Sequence, residues 1–282
     1  MKPAAFEYHA PKTLQGLLDL MRAHGDEGRI LAGGQSLVPV MNFRLARPAH
    51  LFDINEIREL DYLKSEGGTL RIGALARHAA FHKPVAPGPT GELLCEAARY
   101  IAHYPIRMRG TFCGSLAHAD PAAEWCVVAR TLEADIVARS TRGERIVPAA
   151  RFFQGIFATA LEAGEVITEV RLPLLDATWR TGFYEFSRRA GDFALAMTAV
   201  ALQLDGGRIR EARIGIGGVE DRALRCAPAE ALLVEGASAA DAAQAVSAMV
   251  NPLEDLHADS AYRKDLVRAT TRRALEQALR KR

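Results

Sequence analysis

The sequence predicts an α+β chain in two parts, and three observations carry the prediction. Over the first hundred residues, short apolar strand-like runs are interspersed with helical stripes. Three further strand-like runs follow between 134 and 172. From Pro228 onward the pattern is helical. The reading is an N-terminal α+β domain over residues 1–176 and a smaller domain of antiparallel sheet plus helices over 177–282.

The elements follow in order. Thr13 caps a helix with Leu14, Leu17, Leu18 and Met21 on one face, and Gly25 ends it. Arg29 to Ala32 reads as a buried strand that runs into Gly33-Gly34. Leu51 to Ile54 and Thr69 to Ile72 read as further strands, so the chain opens β-α-β or α-β-β. Pro84 to Gly91 reads as a surface loop before a helix over Glu92 to His103. Arg109 to Ser115 reads as a glycine-bearing loop, leading into a small-residue segment that ends at Trp125. Ala134–Ala138, Arg145–Val147 and Glu165–Leu172 are strand-like, and Pro173 ends the last. Asp205-Gly206-Gly207 is a turn signal between Ala194–Leu204 and Arg210–Gly215, which predicts a hairpin. Gly215 to Gly218 reads as a hairpin or bulge feature. Ala239–Met249 and Ala261–Leu279 are the clearest helices, the last with Tyr262, Leu266, Ala269, Ala274 and Ala278 near one stripe.

Composition narrows the functional classes. The chain has 282 residues, 49% hydrophobic and 25% charged, enough for a sizeable core without disulfide or metal staples. A net charge of +2 argues against a nucleic-acid or membrane-surface partner. The basic ending Leu279–Arg282 reads as a solvated last turn. No apolar run reaches the roughly 18 residues of a membrane span, and the N-terminus lacks a signal-peptide core, so no membrane insertion and a cytoplasmic location are expected. The four cysteines show no CxxC spacing, which leaves zinc ribbons, thioredoxin-like sites and iron–sulfur cradles unsupported.

Two segments carry chemistry. In Ala32-Gly33-Gly34-Gln35-Ser36, paired glycines straight after a strand let backbone approach a ligand, and successive amides can form an anion-binding nest. A bare glycine pair is otherwise a tight turn. Arg109 to Glu124 has small residues at nearly every position, the hydroxyls of Thr111 and Ser115, and the carboxylates of Asp120 and Glu124. It makes a poor core and a good ligand surface. It is neither a Walker loop nor a dinucleotide fingerprint, since no Gly-Lys-Ser/Thr and no GxGxxG is present.

Taken together, these segments resemble the medium, flavin-binding subunit of the xanthine dehydrogenase and carbon monoxide dehydrogenase family. That family has an AGG-x-S loop and a T-x-GGS/N-x-x-x-AD-P-x-x-D/E segment. A third stretch, Phe186 to Ala194, is similar as well, and all three agree in order and spacing. The resemblance implies a two-subdomain FAD-binding domain of the vanillyl-alcohol-oxidase (PCMH) type, followed by the sheet-and-helix domain. It also implies residue roles. Ala32, Gly33, Gly34, Gln35 and Ser36 hold the pyrophosphate. Thr111, Cys113, Gly114 and Ser115 serve the pyrophosphate and ribityl region. Asp120 and Glu124 match acidic positions near the flavin, Ile167 packs on its ring, and Tyr184 to Asp192 line its outer side. The chain departs from the family at Cys113, where glycine is usual, and at Glu124, where aspartate is commoner. A Cys113 side chain crowds the cofactor if the position needs positive φ. The expectation is a tolerated filler whose main-chain amide does the binding.

The implied activity is that of an oxidoreductase subunit with FAD as cofactor. Its implied partners are a small [2Fe-2S] subunit and a large molybdopterin subunit, as a dimer of heterotrimers, with an external electron acceptor. No catalytic base and no metal site are expected in this chain. Two alternatives remain: a self-contained flavin-dependent oxidoreductase of the same superfamily, and a non-catalytic protein that has lost FAD. Other candidates read plainly. The eight histidines are read as forming no ligand cluster, and His78 and His82 at helical spacing lack a third ligand. Ser115, His118 and Asp120 are too close in sequence for triad geometry.

Overall fold

The computed structural model describes residues 1–281, so Arg282 of the basic ending lies outside them. Strand β1 (Glu7–His9), helix α1 (Leu14–His24), strand β2 (Gly28–Leu31), helix α2 (Leu37–Asn42) and strand β3 (His50–Asp53) open the chain. β3 lies between β1 and β2, and both pairings are parallel. α1 forms as its sequence predicts. The Thr13 hydroxyl accepts from the Gly16 amide, Leu14, Leu17, Leu18 and Met21 are buried, and Gly25 at φ 53° ends the helix.

A second layer is antiparallel. It uses β4 (Leu63–Glu66), β5 (Thr69–Gly73), and then, after helices α3 (Gly88–Ala98), α4 (Tyr104–Arg107), α5 (Phe112–His118) and α6 (Glu124–Thr131), strands β6 (Asp135–Ser140) and β7 (Gly143–Pro148). Helix α7 (Ala149–Phe152), the small pair β8 (Phe153–Gly155) and β9 (Ala158–Thr159), and strand β10 (Val166–Pro173) complete it. The sheet order is β4-β5-β10-β6-β7. The second half is β11 (Trp179–Phe186), β12 (Ala196–Asp205), β13 (Arg208–Gly217) and β14 (Leu224–Arg225), an antiparallel sheet in that order. Helices α8 (Ala227–Val234), α9 (Ala239–Met249) and α10 (Ser260–Arg280) follow. The predicted α+β class and the antiparallel C-terminal sheet with helices are both present.

The C-terminal sheet buries both faces. Along β12, Met197, Ala199 and Ala201 join the core of the first half, whereas Ala196, Val200 and Leu202 join a second core with α8, α9 and α10. Successive strand residues point to opposite faces, so this split follows from the pleat. It also explains why the strand alternates only weakly in sequence: both sides need apolar residues.

Four local readings need correction. Helix α3 begins at Gly88, inside the stretch read as a surface loop, with Pro89, Thr90 and Gly91 buried; a proline in the first turn costs no amide bond. It ends at Ala98, short of His103. The Arg109–Ser115 loop becomes a helix after Thr111, with Phe112, Cys113 and Leu116 buried. Strand β11 was not foreseen. Gly215 is no bulge, because β13 pairs through Gly217 and its register shift lies at Gln203/Leu204. Gly215 and Gly217 instead let α6 approach the sheet closely. Among the described residues, no helix is long and apolar enough to cross a membrane.

Candidate cofactor-binding site

The two glycine-bearing segments meet at one cleft of about 730 Å³, a size ordinary for a cofactor site. The turn from β2 into α2 forms one wall. The stretch from Gly110 into α5 forms the other, and Ile167 of β10 helps close it.

The first wall is built by backbone. Gly34 takes φ +75°, a conformation that L side chains resist. A Cβ on Gly33 would lie 2.4 Å from the Arg109 carbonyl oxygen and 2.6 Å from the Gly110 Cα. The first amide to bond back into α2 is that of Val38, to the Gly34 carbonyl at 3.1 Å. A helix start leaves the amides before that one without intrahelical partners, and here they belong to Gly34, Gln35, Ser36 and Leu37. Ser36 makes no capping bond, so its hydroxyl stays available. The Gln35 side chain braces the turn, donating to the Gly33 carbonyl at 3.0 Å.

On the second wall, the Thr111 hydroxyl caps α5 by accepting from the Gly114 amide at 3.1 Å. A Cβ on Gly114 would lie 2.6 Å from that hydroxyl, so a side chain there would make the Thr111 hydroxyl shift. Cys113 sits inside α5 and is not among the positive-φ residues, which removes the strain that its side chain would have brought. Its thiol is buried, 3.7 Å from the carbonyl oxygens of Ile72 and Gly73. Burial, and then Glu169, push that thiol far above its ordinary pKa.

Three bracing residues escaped the sequence reading. Asn55 donates to the Ala32 carbonyl at 2.9 Å. Arg77 donates to the Asn55 side chain and, at 2.6 Å, to the Arg109 carbonyl. The His78 amide donates to the Gly110 carbonyl at 2.9 Å, and its Nδ1 accepts from Trp125 Nε1 at 2.9 Å. Burial, and then Arg77 and Arg107, lower the His78 pKa to about 3, so the ring is neutral. The side-chain partners of Arg77 and His78 lie 22 to 47 residues away, so no local pattern marks them.

Ten predicted residues line the cleft: Ala32, Gly33, Gly34, Gln35, Ser36, Thr111, Cys113, Gly114, Ser115 and Ile167. Asp120 instead lines a neighbouring cavity of about 550 Å³ together with Arg188, Gly191 and Asp192, and Phe157 borders both spaces. Glu124 begins α6, half-buried. Burial, and then Asp120, raise its pKa. Tyr184 is not at the cleft. Its ring packs with the second core, where the Arg273 guanidinium lies 4.8 Å over it and donates to its hydroxyl. The pleat of β11 turns Glu185 the other way, where burial and the charge of Glu124 raise its pKa.

The reading of unclustered histidines is also corrected. The ligand nitrogens of His9, His24 and His50 lie within 4.8 Å of one another, because β1 and β3 are neighbours and α1 ends beside them.

The cleft fits a diphosphate-bearing cofactor: it offers free amides, hydroxyls, and two walls whose backbones meet at Gly33, where a Cβ would wedge them apart. The comparisons agree. The model described as the FAD binding domain in molybdopterin dehydrogenase matches residues 4–175, and that of the CO dehydrogenase flavoprotein C-terminal domain matches 181–278. The chain is 40% identical to the 6-hydroxypseudooxynicotine dehydrogenase complex subunit alpha of Paenarthrobacter nicotinovorans, over 99% of this chain and 96% of that one. It is 36% identical to the carbon monoxide dehydrogenase medium chain of Hydrogenophaga pseudoflava, over 99% and 98%. Among solved structures, the carbon monoxide dehydrogenase from Hydrogenophaga pseudoflava superposes with a TM-score of 0.95 at 38% identity, covering 99% of this chain and 98% of that chain. Quinoline 2-oxidoreductase from Pseudomonas putida 86 gives 0.91 at 38%, with the same coverage. The chain belongs to the family of FAD-binding medium subunits of molybdenum hydroxylases, oxidoreductases of the carbon monoxide and xanthine dehydrogenase kind, and its cofactor is FAD.

Proposed function

We propose that this chain is the electron-transfer station of a three-subunit molybdenum hydroxylase. It would take electrons from the [2Fe-2S] clusters of a small subunit and pass them to an external acceptor, while a large molybdopterin subunit oxidises the substrate. The bound FAD would supply the redox chemistry, taking electrons singly and releasing them in pairs. One observation carries this reading: both glycine-bearing segments converge on a single cleft.

The chain's own residues bind and orient. Amides from Gly34 to Ser36, with the Ser36 hydroxyl, hold the diphosphate. Thr111 shapes the α5 start so that Gly114 and Ser115 face the ribityl region. Ile167 presents an aliphatic surface to the flavin ring, and Asp120 and Glu124 lie beyond it. The domain boundary falls near residue 176, in the connection between β10 and β11. The assembly is a dimer of heterotrimers, and the four unpaired cysteines of this chain suit a reducing, cytoplasmic compartment.

Co-expression with the neighbouring open reading frames tests this. The expected result is a yellow complex that contains iron and molybdenum and loses substrate-dependent acceptor reduction when this chain is omitted. Substrate turnover by this chain alone, free of metal, would overturn the subunit reading and support a self-contained flavoenzyme.

A further inference from the structure

We propose that His9, His24 and His50, with Glu7, form a binding site for a divalent d-block cation, zinc being the type ion. The four residues come from three elements. Glu7 and His9 alternate on β1, so both face the same side of the sheet. His50 opens β3 and pairs in register with Glu7. His24 is the last residue of α1.

The spacing suits one small ion. His9 Nε2 lies 3.1 Å from His50 Nδ1. A tetrahedral zinc site, with Zn–N near 2.05 Å, places its ligand nitrogens about 3.3 Å apart. The His24 nitrogen joins them within 4.8 Å. A Glu7 carboxylate oxygen stands 3.6 Å from His50 Nδ1 and 3.9 Å from His9 Nε2. A hydrogen bond between His9 and His50, with Glu7 within ion-pair reach of both, accounts for three of these four groups and leaves the approach of the His24 nitrogen unexplained.

The surroundings are those of a site. All three rings are partly buried. Phe52, 1% exposed, lies close to each, with centroids 5.6 Å from His9, 6.0 Å from His24 and 6.5 Å from His50. Gly28 pairs with His50 on the other side, and a Cβ there would lie 2.1 Å from the Phe52 ring. The absent side chain is what admits that apolar floor. The C-terminal end of α1 adds partial negative charge beside His24. Three imidazoles and one carboxylate select zinc, cobalt or nickel over magnesium or calcium, which prefer oxygen. An ion here would tie β1, β3 and α1 together beside the cofactor cleft, whose lining includes Gly28 and Phe52.

The test uses the full chain, stripped with a chelator and dialysed against zinc chloride alone, with metal counted by mass spectrometry. Cobalt chloride serves as a spectroscopic probe. One ion per chain is expected, with cobalt bands of tetrahedral intensity. His24→Ala and His50→Gln should each weaken uptake by at least about tenfold, whereas His257→Ala, at an exposed position outside the cluster, should leave it unchanged. Zinc should raise the melting temperature of the wild type and not of the two cluster variants. If His50→Gln misfolds by circular dichroism, His24→Ala at the helix end decides the matter. Wild-type uptake no greater than that of His24→Ala, or uptake lost equally in His257→Ala, would overturn the proposal.

Discussion

The backbone of Gly33 rests on that of Arg109: a Cβ at Gly33 would stand 2.4 Å from the Arg109 carbonyl oxygen. Real Cβ atoms do not come that near to backbone, so any side chain at Gly33 pushes the two walls of the cleft apart. Gly33→Ala should lower FAD affinity by about tenfold or more, equivalent to about 1.4 kcal/mol. Gly33→Asp adds a like charge beside the diphosphate and should abolish binding. The flavin-to-protein absorbance ratio after gel filtration reads both, and a fully loaded Gly33→Asp chain would refute the placement of the diphosphate.

Thr111 caps the helix that carries Gly114 and Ser115. Thr111→Ala should cost about 1 kcal/mol of stability and weaken FAD retention, while Thr111→Ser keeps the acceptor oxygen and should restore both. Urea denaturation and flavin release on dilution are the measurements. Equal behaviour of the Ala and Ser variants would show that the hydroxyl does not matter.

Cys113 has its thiol in the core, 3.7 Å from two carbonyl oxygens and raised in pKa by burial. A buried neutral thiol is a poor nucleophile. Cys113→Ser and Cys113→Gly should therefore retain FAD and its rate of reduction by the cluster subunit. The thiol should resist alkylation until the chain unfolds. A rate loss of more than about tenfold in Cys113→Ser, with FAD still bound, would assign the thiol a redox role.

Glu124 and Glu185 are both raised in pKa, burial being the first cause in each. One carboxylate oxygen of Glu185 is buried without a hydrogen-bond partner. In the unfolded chain a glutamate titrates at about 4.3. Above that value, and below the raised folded one, the native state holds more protons than the unfolded state, so stability falls as pH rises. Glu185→Gln removes the titrating group and should flatten that fall. Its melting temperature should drop less than that of the wild type between about pH 5 and about pH 8. Parallel curves would count against a buried, proton-holding pair.

Much of this architecture was legible because it is local. The cap and stripe of α1, the turn at Asp205–Gly207, and helices α9 and α10 depend on residues a few positions apart. The glycine-bearing segments were legible for the same reason, since close backbone approach restricts residue type at each position. Tertiary structure decided the rest. The loop at Thr111 became a helix because Phe112, Cys113 and Leu116 found a core to bury into. Tyr184 went to the second core and Glu185 to the other face because β11, an edge strand, is covered on one face by α10 and on the other by α3, which one strand's sequence cannot announce. Asn55, Arg77 and His78 brace the cleft through partners far along the chain. The histidines of β1, α1 and β3 meet only because β3 inserts beside β1. Periodicity and capping act over a turn of chain, whereas pairing order and the burial of a second face are properties of the assembled sheets.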